Sequence, residues 1–176
     1  MKILESERLA YLTFSLEDYD FLLDLETNKE AREFFGGIAS PEIVKNILNS
    51  FLERYHKENF SYFKVQLKDT GEFIGAAGFE RHKSTNEVGI GYILYKNYWD
   101  NQFPIEILTS LLAWGKGRIQ TNYFISVVDK NDEPTKKALQ DSGMSFYKEE
   151  KFDDLVCHYY KIDNQGSSLL GENADG

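Results

Sequence analysis

The stretch Asn86 to Glu106, NEVGIGYILYKNYWDNQFPIE, decides how the rest of the chain is read. Val88, Ile90, Ile93 and Leu94 form an apolar run around Gly91, rich in β-branched and aromatic residues, and predict a buried strand. After Trp99 a polar turn, Asp100-Asn101-Gln102, leads through Phe103-Pro104 into an apolar helix with Ile105, Leu108, Leu111, Leu112 and Trp114. Proline suits the first turn of a helix, where its missing N–H has no intrahelical partner. A strand that ends in a helix N-terminus aims unpaired N–H groups and the positive dipole end at one point. That is an anion site, most often filled by phosphate.

The flanking sequence supplies the other elements. Arg8 to Phe14 alternates as a first strand, and Glu17 to Glu26 places Phe21, Leu22 and Leu25 at helical spacing after a Ser15 cap. Lys29 to Phe35 ends at Gly36-Gly37. Ser40-Pro41 then opens a helix to about Lys57, with Ile43, Ile47, Leu48, Phe51 and Leu52 on one face. Ser61 to Leu67 and Glu72 to Glu80 read as a hairpin closed by Lys68-Asp69-Thr70-Gly71, and the turn Arg81 to Asn86 leads back to the central strand. Tyr123 to Val128 is a strand, Asn131 or Asp132 caps a helix to about Ser142, and Met144 to Glu149 with Phe152 to Ile162 close the fold. The alternation of strands and helices predicts a mixed α/β sheet covered on its faces, as one domain over residues 1–162. Asp163 to Gly176 has little to pack and reads as a disordered tail.

Composition bounds the partners. With 176 residues, 41% hydrophobic and 15% aromatic, the chain can bury one sizeable core. A net charge of −9 argues against nucleic acid, which needs a basic footprint, and weakly favours a cationic or neutral partner such as an amine. The single cysteine, Cys157, excludes an intrachain disulfide and no metal motif is present. No signal peptide or membrane span is evident, so the default compartment is the cytoplasm. Monomer and homodimer are both open.

Several landmarks together resemble the GNAT N-acetyltransferases, in particular the RimJ/RimL branch that acts on ribosomal-protein N-termini. They are Glu5-Ser6-Glu7-Arg8-Leu9, Asp69-Thr70-Gly71-Glu72-Phe73-Ile74-Gly75 with Gly78, and Gly91-Tyr92, Tyr98-Trp99 and Glu106. The resemblance covers roughly residues 5 to 162. It implies the GNAT fold, a mostly antiparallel sheet of about seven strands with helices on both faces. It also implies acetyl-CoA as cosubstrate and a small amine or a peptide or protein N-terminus as acceptor, attacked directly without a covalent enzyme intermediate. Under that resemblance the pantetheine arm runs along Ile93, Leu94 and Tyr95. The diphosphate meets the turn at Asn101, Gln102 and Phe103, and Asn131 and Thr135 flank the cofactor from the last helix.

The phosphate loop departs from the family pattern. Asp100 and Gln102 replace its glycines, and Pro104 removes a candidate donor. A hydrogen bond to a charged group is worth about 1.5–3 kcal/mol, so losing such contacts weakens binding by tenfold or more. The family's usual base, a Glu two residues before the strand glycine, is Gly89 here. Glu87 shares that face about 6–7 Å further along and reads either as a base acting through water or as an exposed charge. Tyr92 is a second catalytic candidate at the thioester end. Glu80 and His82 end the preceding strand, His82 reading as a turn residue, and the family's acidic Tyr in the last helix is Leu139. Lys130, Lys136 and Lys137 either meet CoA phosphates or form a solvated face. The rival to an enzyme is a GNAT-fold binding or regulatory domain that has lost efficient CoA binding.

Overall fold

The computed structural model describes residues 1–165. Eight strands form a single sheet in the order β1-β2-β3-β4-β5-β6-β8-β7. In chain order these are β1 (Lys2–Glu5), β2 (Leu9–Thr13), β3 (Tyr62–Leu67), β4 (Phe73–Arg81), β5 (Val88–Leu94), β6 (Tyr123–Asp129), β7 (Ser145–Phe152) and β8 (Leu155–Asp163). Four α-helices cover it: α1 (Tyr19–Thr27), α2 (Pro41–Glu58), α3 (Phe103–Gly115) and α4 (Glu133–Asp141). Every neighbouring pair runs antiparallel except β5 and β6, which are parallel.

The two faces have separate cores. On one, Leu94, Ile90 and Val88 of β5 and Phe79 of β4 pack under Ile107, Leu108 and Leu111 of α3 and Leu139 of α4. On the other, Ile93 and Ala76 pack against Leu22 and Leu25 of α1 and Val44, Leu48 and Phe51 of α2. Period-two alternation along β5 feeds both cores, which is why its sequence is apolar almost throughout.

The start of α2 follows its signal. Ser40 Oγ accepts from the Ile43 N–H at 3.3 Å with Pro41 in the first turn, and Asn59 ends the helix in a left-handed conformation at φ 59°. The buried face is Val44, Leu48 and Phe51, rotated from the predicted stripe, and Ile43 is exposed. α1 begins at Tyr19 because Ser15 to Asp18 closes a tighter turn, with Asp18 Oδ2 accepting from the Ser15 N–H at 2.7 Å. Gly75 and Gly78 admit close backbone approach: a Cβ on either would collide with the Ile93 or Ser61 carbonyl oxygen.

Two boundaries differ from the sequence reading. β1 was not expected; it pairs with β2 through Lys2, Leu4 and Glu5 and makes the sheet eight-stranded. Asp163 and Asn164 are not tail. Asp163 pairs with Tyr123, and the buried Asn164 side chain donates to the carbonyls of Ile119 at 3.1 Å and Thr121 at 3.0 Å. The remainder of the predicted disordered tail, residues 166–176, lies outside the described residues.

Candidate active site

β5 and β6 pair only at Val88 with Phe124 and Gly89 with Ile125, then diverge. Beyond that point the sheet is split. Tyr95 N–H donates to Ile74 O at 3.1 Å, so Tyr95 and, by alternation, Ile93 direct their backbone groups toward β4. The N–H and C=O groups of Tyr92 and Leu94 therefore face the split. Of Ile93, Leu94 and Tyr95, Leu94 turns its backbone to the gap and the other two turn theirs to β4. The Leu94 carbonyl already accepts from Trp99 Nε1 at 3.0 Å, and the Tyr95 hydroxyl donates to Asp24 of α1 at 2.5 Å.

The split opens into a chamber of about 250 Å³ on the α1/α2 side of the sheet. Gly91 and Tyr92 form one wall, Val127 and Asp129 the opposite one, Glu80 and His82 one end, and Phe34 and Phe35 the roof. The roof belongs to the segment between α1 and α2. Arg32 pins it, donating to Glu26 Oε2 at 2.7 Å, Gly37 O at 2.8 Å and Phe35 O at 3.0 Å.

Tyr92 crosses the split. Its hydroxyl donates to Thr135 Oγ1 at 3.1 Å, and the carboxylate of Asp132 accepts from the N–H of the same threonine. Burial pushes the Tyr92 phenol far above the ordinary range, so it stays protonated. Burial also raises Asp132, helped by Asp129 and Glu33, against hydrogen bonds from Thr135 that lower it. Asp132 caps α4 by accepting from the Thr135 N–H at 3.0 Å. Asn131, the alternative cap and expected cofactor contact, is exposed and lines neither cavity beside the split.

Toward α3 the split narrows to a slot of about 10 Å³ lined by Phe34, Leu94, Trp99, Pro104 and Thr135. The Phe34 ring lies 6.1 Å from that of Trp99 across it. At the turn beyond, Asn101 and Gln102 both hold left-handed conformations, φ 61° and 62°. The turn has thus formed without its glycines. Phe103, expected at the cofactor, is buried with the Arg8 guanidinium 4.0 Å over its ring.

Glu87 lies elsewhere. Its carboxylate accepts from the Tyr123 hydroxyl at 3.0 Å in a depression formed with Arg81, Asn86 and Gln120, apart from the chamber. Tyr92 and Thr135 therefore meet at the split and Glu87 does not join them. Lys136 and Lys137 are held on α4 by Glu133 and Asp141, each at 2.6 Å. Cys157 is buried in the chamber wall, its thiol pushed up by burial and by Asp129 and Glu150.

In the sequence His82 reads as a turn histidine rather than a base. The cross-strand register, which only the fold reveals, sets Glu80 opposite Gly89 and brings the next turn over the same glycine. A Cβ on Gly89 would stand 3.0 Å from His82 Nε2, so the imidazole lies over the position where the resemblance led to the expectation of a glutamate.

Comparison with known proteins agrees with this architecture. The N-acetyltransferase YoaA of Bacillus subtilis (strain 168), itself uncharacterized, is 24% identical over 147 residues, covering 80% of this chain and 81% of that one. The acetyltransferase structure from Agrobacterium tumefaciens str. C58 superposes with a TM-score of 0.80 at 18% identity, over 92% of this chain and 94% of that one. RimL, a ribosomal L7/L12 alpha-N-protein acetyltransferase solved in complex with coenzyme A, superposes at 0.78 with 12% identity, over 93% and 98%. The family model of the acetyltransferase (GNAT) domain matches residues 8–145, and the chain belongs to that family.

Proposed function

We propose that the protein transfers an acetyl group from acetyl-CoA to a primary amine, a peptide or protein N-terminus or a small amine, by direct attack. The observation that carries this reading is the split between β5 and β6, with the Tyr92 and Leu94 N–H groups on one lip and the Tyr92 hydroxyl reaching across it to Thr135, beside Asp132. An extended arm pairs with the lip through Tyr92 and Leu94 as an added strand would. The residues present fit such an arm at the chamber end. At the other end the left-handed turn at Asn101 and Gln102 and the start of α3 offer an anion site, while Asp100 opposes negative charge.

After the ammonium gives up one proton, the amine nitrogen attacks the thioester carbonyl carbon and the C–S bond breaks; the second proton lost from the nitrogen replaces the one that Tyr92 gives to the sulfur. Tyr92, protonated and aimed across the split, is the acid placed to give a proton to the departing sulfur. Thr135 and Asp132 orient it. RimL, which acts on a ribosomal-protein N-terminus, supports the same acceptor class here. The carboxylates of Glu80, Asp129 and Asp132 around the chamber suit a cationic amine.

The second reading, a binding or regulatory domain without efficient CoA binding, is favoured by the closed slot between Phe34 and Trp99. Melting curves with increasing acetyl-CoA decide between them, because a ligand that binds only the folded state stabilises it by RT ln(1 + [L]/Kd). We expect a rise in Tm at sub-millimolar acetyl-CoA. No rise at several millimolar would favour the second reading.

A further inference from the structure

We propose that His82 is the base that takes the proton from the acceptor ammonium, in the space that Gly89 leaves open. This rests on the acetyltransferase reading above. The backbone fixes the residue first. His82 N–H donates to Glu87 O at 2.9 Å, and Asn86 N–H donates to His82 O at 2.8 Å, so the turn after β4 is closed on both sides. The register Glu80 to Gly89 and Arg81 to Val88 then sets His82 beside the glycine, on the chamber face. A side chain at 89 would displace the imidazole, since a Cβ there would lie 3.0 Å from Nε2.

The imidazole lines the chamber with Gly91 and Tyr92, and is 36% exposed, so a proton taken inside has a route to water. Its neighbours are ordered for that role. Glu80 Oε1 lies 4.0 Å from His82 Nε2, and Glu80 Oε2 lies 4.0 Å from Arg54 Nη2 of α2. Arg54 Nη1 is buried and has no partner among the described residues. The carboxylate thus stands between the Arg54 cation and the imidazole, 4.0 Å from each, where its charge favours the imidazolium.

The remaining groups facing the chamber are poor bases. The Tyr62 and Tyr92 phenols are driven up by burial and remain protonated. The Cys157 thiol is raised by burial and by Asp129 and Glu150. Asp132, though raised by burial, is committed to the α4 cap by accepting from the Thr135 N–H, and Asp129 accepts from the Asn131 N–H at 2.8 Å. In the step itself, the ammonium N–H bond breaks toward the imidazole nitrogen, the freed lone pair attacks the thioester carbon, and the imidazolium later releases its proton to solvent. No oxidant or further reactant is needed.

The test measures CoA thiol release from acetyl-CoA across pH, with a tetrapeptide bearing a free N-terminal serine and with ethylenediamine as probe acceptors. The proteins are wild type, His82→Gln, Glu80→Gln and the double variant His82→Ala/Gly89→Glu, each checked for an unchanged melting transition. We expect His82→Gln to lose about 10²–10⁴-fold in kcat/KM. The acidic limb of its pH profile should vanish and KM for acetyl-CoA should stay the same. The double variant should recover at least about tenfold over His82→Gln, because a carboxylate then fills the vacated place. Retention of rate and acidic limb in His82→Gln, whether or not Glu80→Gln loses them, overturns the assignment of the base while leaving the enzyme reading intact. A wild type that releases no thiol and melts unchanged with acetyl-CoA overturns both.

Discussion

Gln102 shows how much one residue can conceal. A side chain at φ 62° is strained by about 1 kcal/mol relative to glycine, and this residue sits where the helix start needs that turn. We therefore expect Gln102→Gly to stabilise the fold by about 0.5–1 kcal/mol, a rise of about 1–4 °C in Tm. Adding Asp100→Gly removes a negative charge from the proposed diphosphate site, and calorimetry should show CoA binding about tenfold tighter or more. Unchanged affinity in that double variant would show that the diphosphate rests elsewhere. From sequence the missing glycines argue for a weakened phosphate loop; the backbone there still turns through left-handed conformations at Asn101 and Gln102. His82 was hidden for a related reason. Its closeness to Gly89 comes from strand register, which residue type alone does not reveal.

Among elements, α3 explains a pairing of landmarks about a hundred positions apart. Glu106 Oε1 accepts from Ser6 Oγ at 2.6 Å and from the Arg8 N–H at 2.8 Å, while Oε2 accepts from Arg8 Nε at 2.7 Å. Glu106 is thus an anchor between the first turn of α3 and the bend joining β1 to β2, with no place in the split. Burial alone would raise its pKa, but the bonds from Ser6 and Arg8 reverse that and hold it below the ordinary carboxylate range. A lowered folded pKa stabilises above the unfolded value, about 4.3, and the benefit is lost as pH falls through the folded one. Glu106→Gln should therefore cost about 1–2 kcal/mol at pH 7, discounted for the partly exposed Arg8, with the gap from wild type closing in urea titrations below about pH 4. Elements with local signals, such as α2 with its Ser40-Pro41 start, were legible. β1 was not, because Lys2–Glu5 is short and charged at both ends and gains its order from β2.

At the level of the whole molecule, the fold was legible because apolar periodicity and a chain of family landmarks agreed over most of its length. The site was less so. Its parts come from β4, β5, β6, α4 and the α1–α2 segment, and only packing brings them to one chamber. Among the described residues, no helix is long and apolar enough to cross a membrane. The divergence of β5 from β6 also leaves an odd–even signature along a single strand. The Tyr95 amide, bonded to Ile74, and the Ile93 amide beside it on the β4 side should exchange slowly with deuterium. The Tyr92 and Leu94 amides face the opening without a strand partner and should exchange faster, so a labelled spectrum would report occupancy directly. Acetyl-CoA should slow Tyr92 and Leu94 alone, and a ligand that left those two signals untouched would have to be lodged somewhere else.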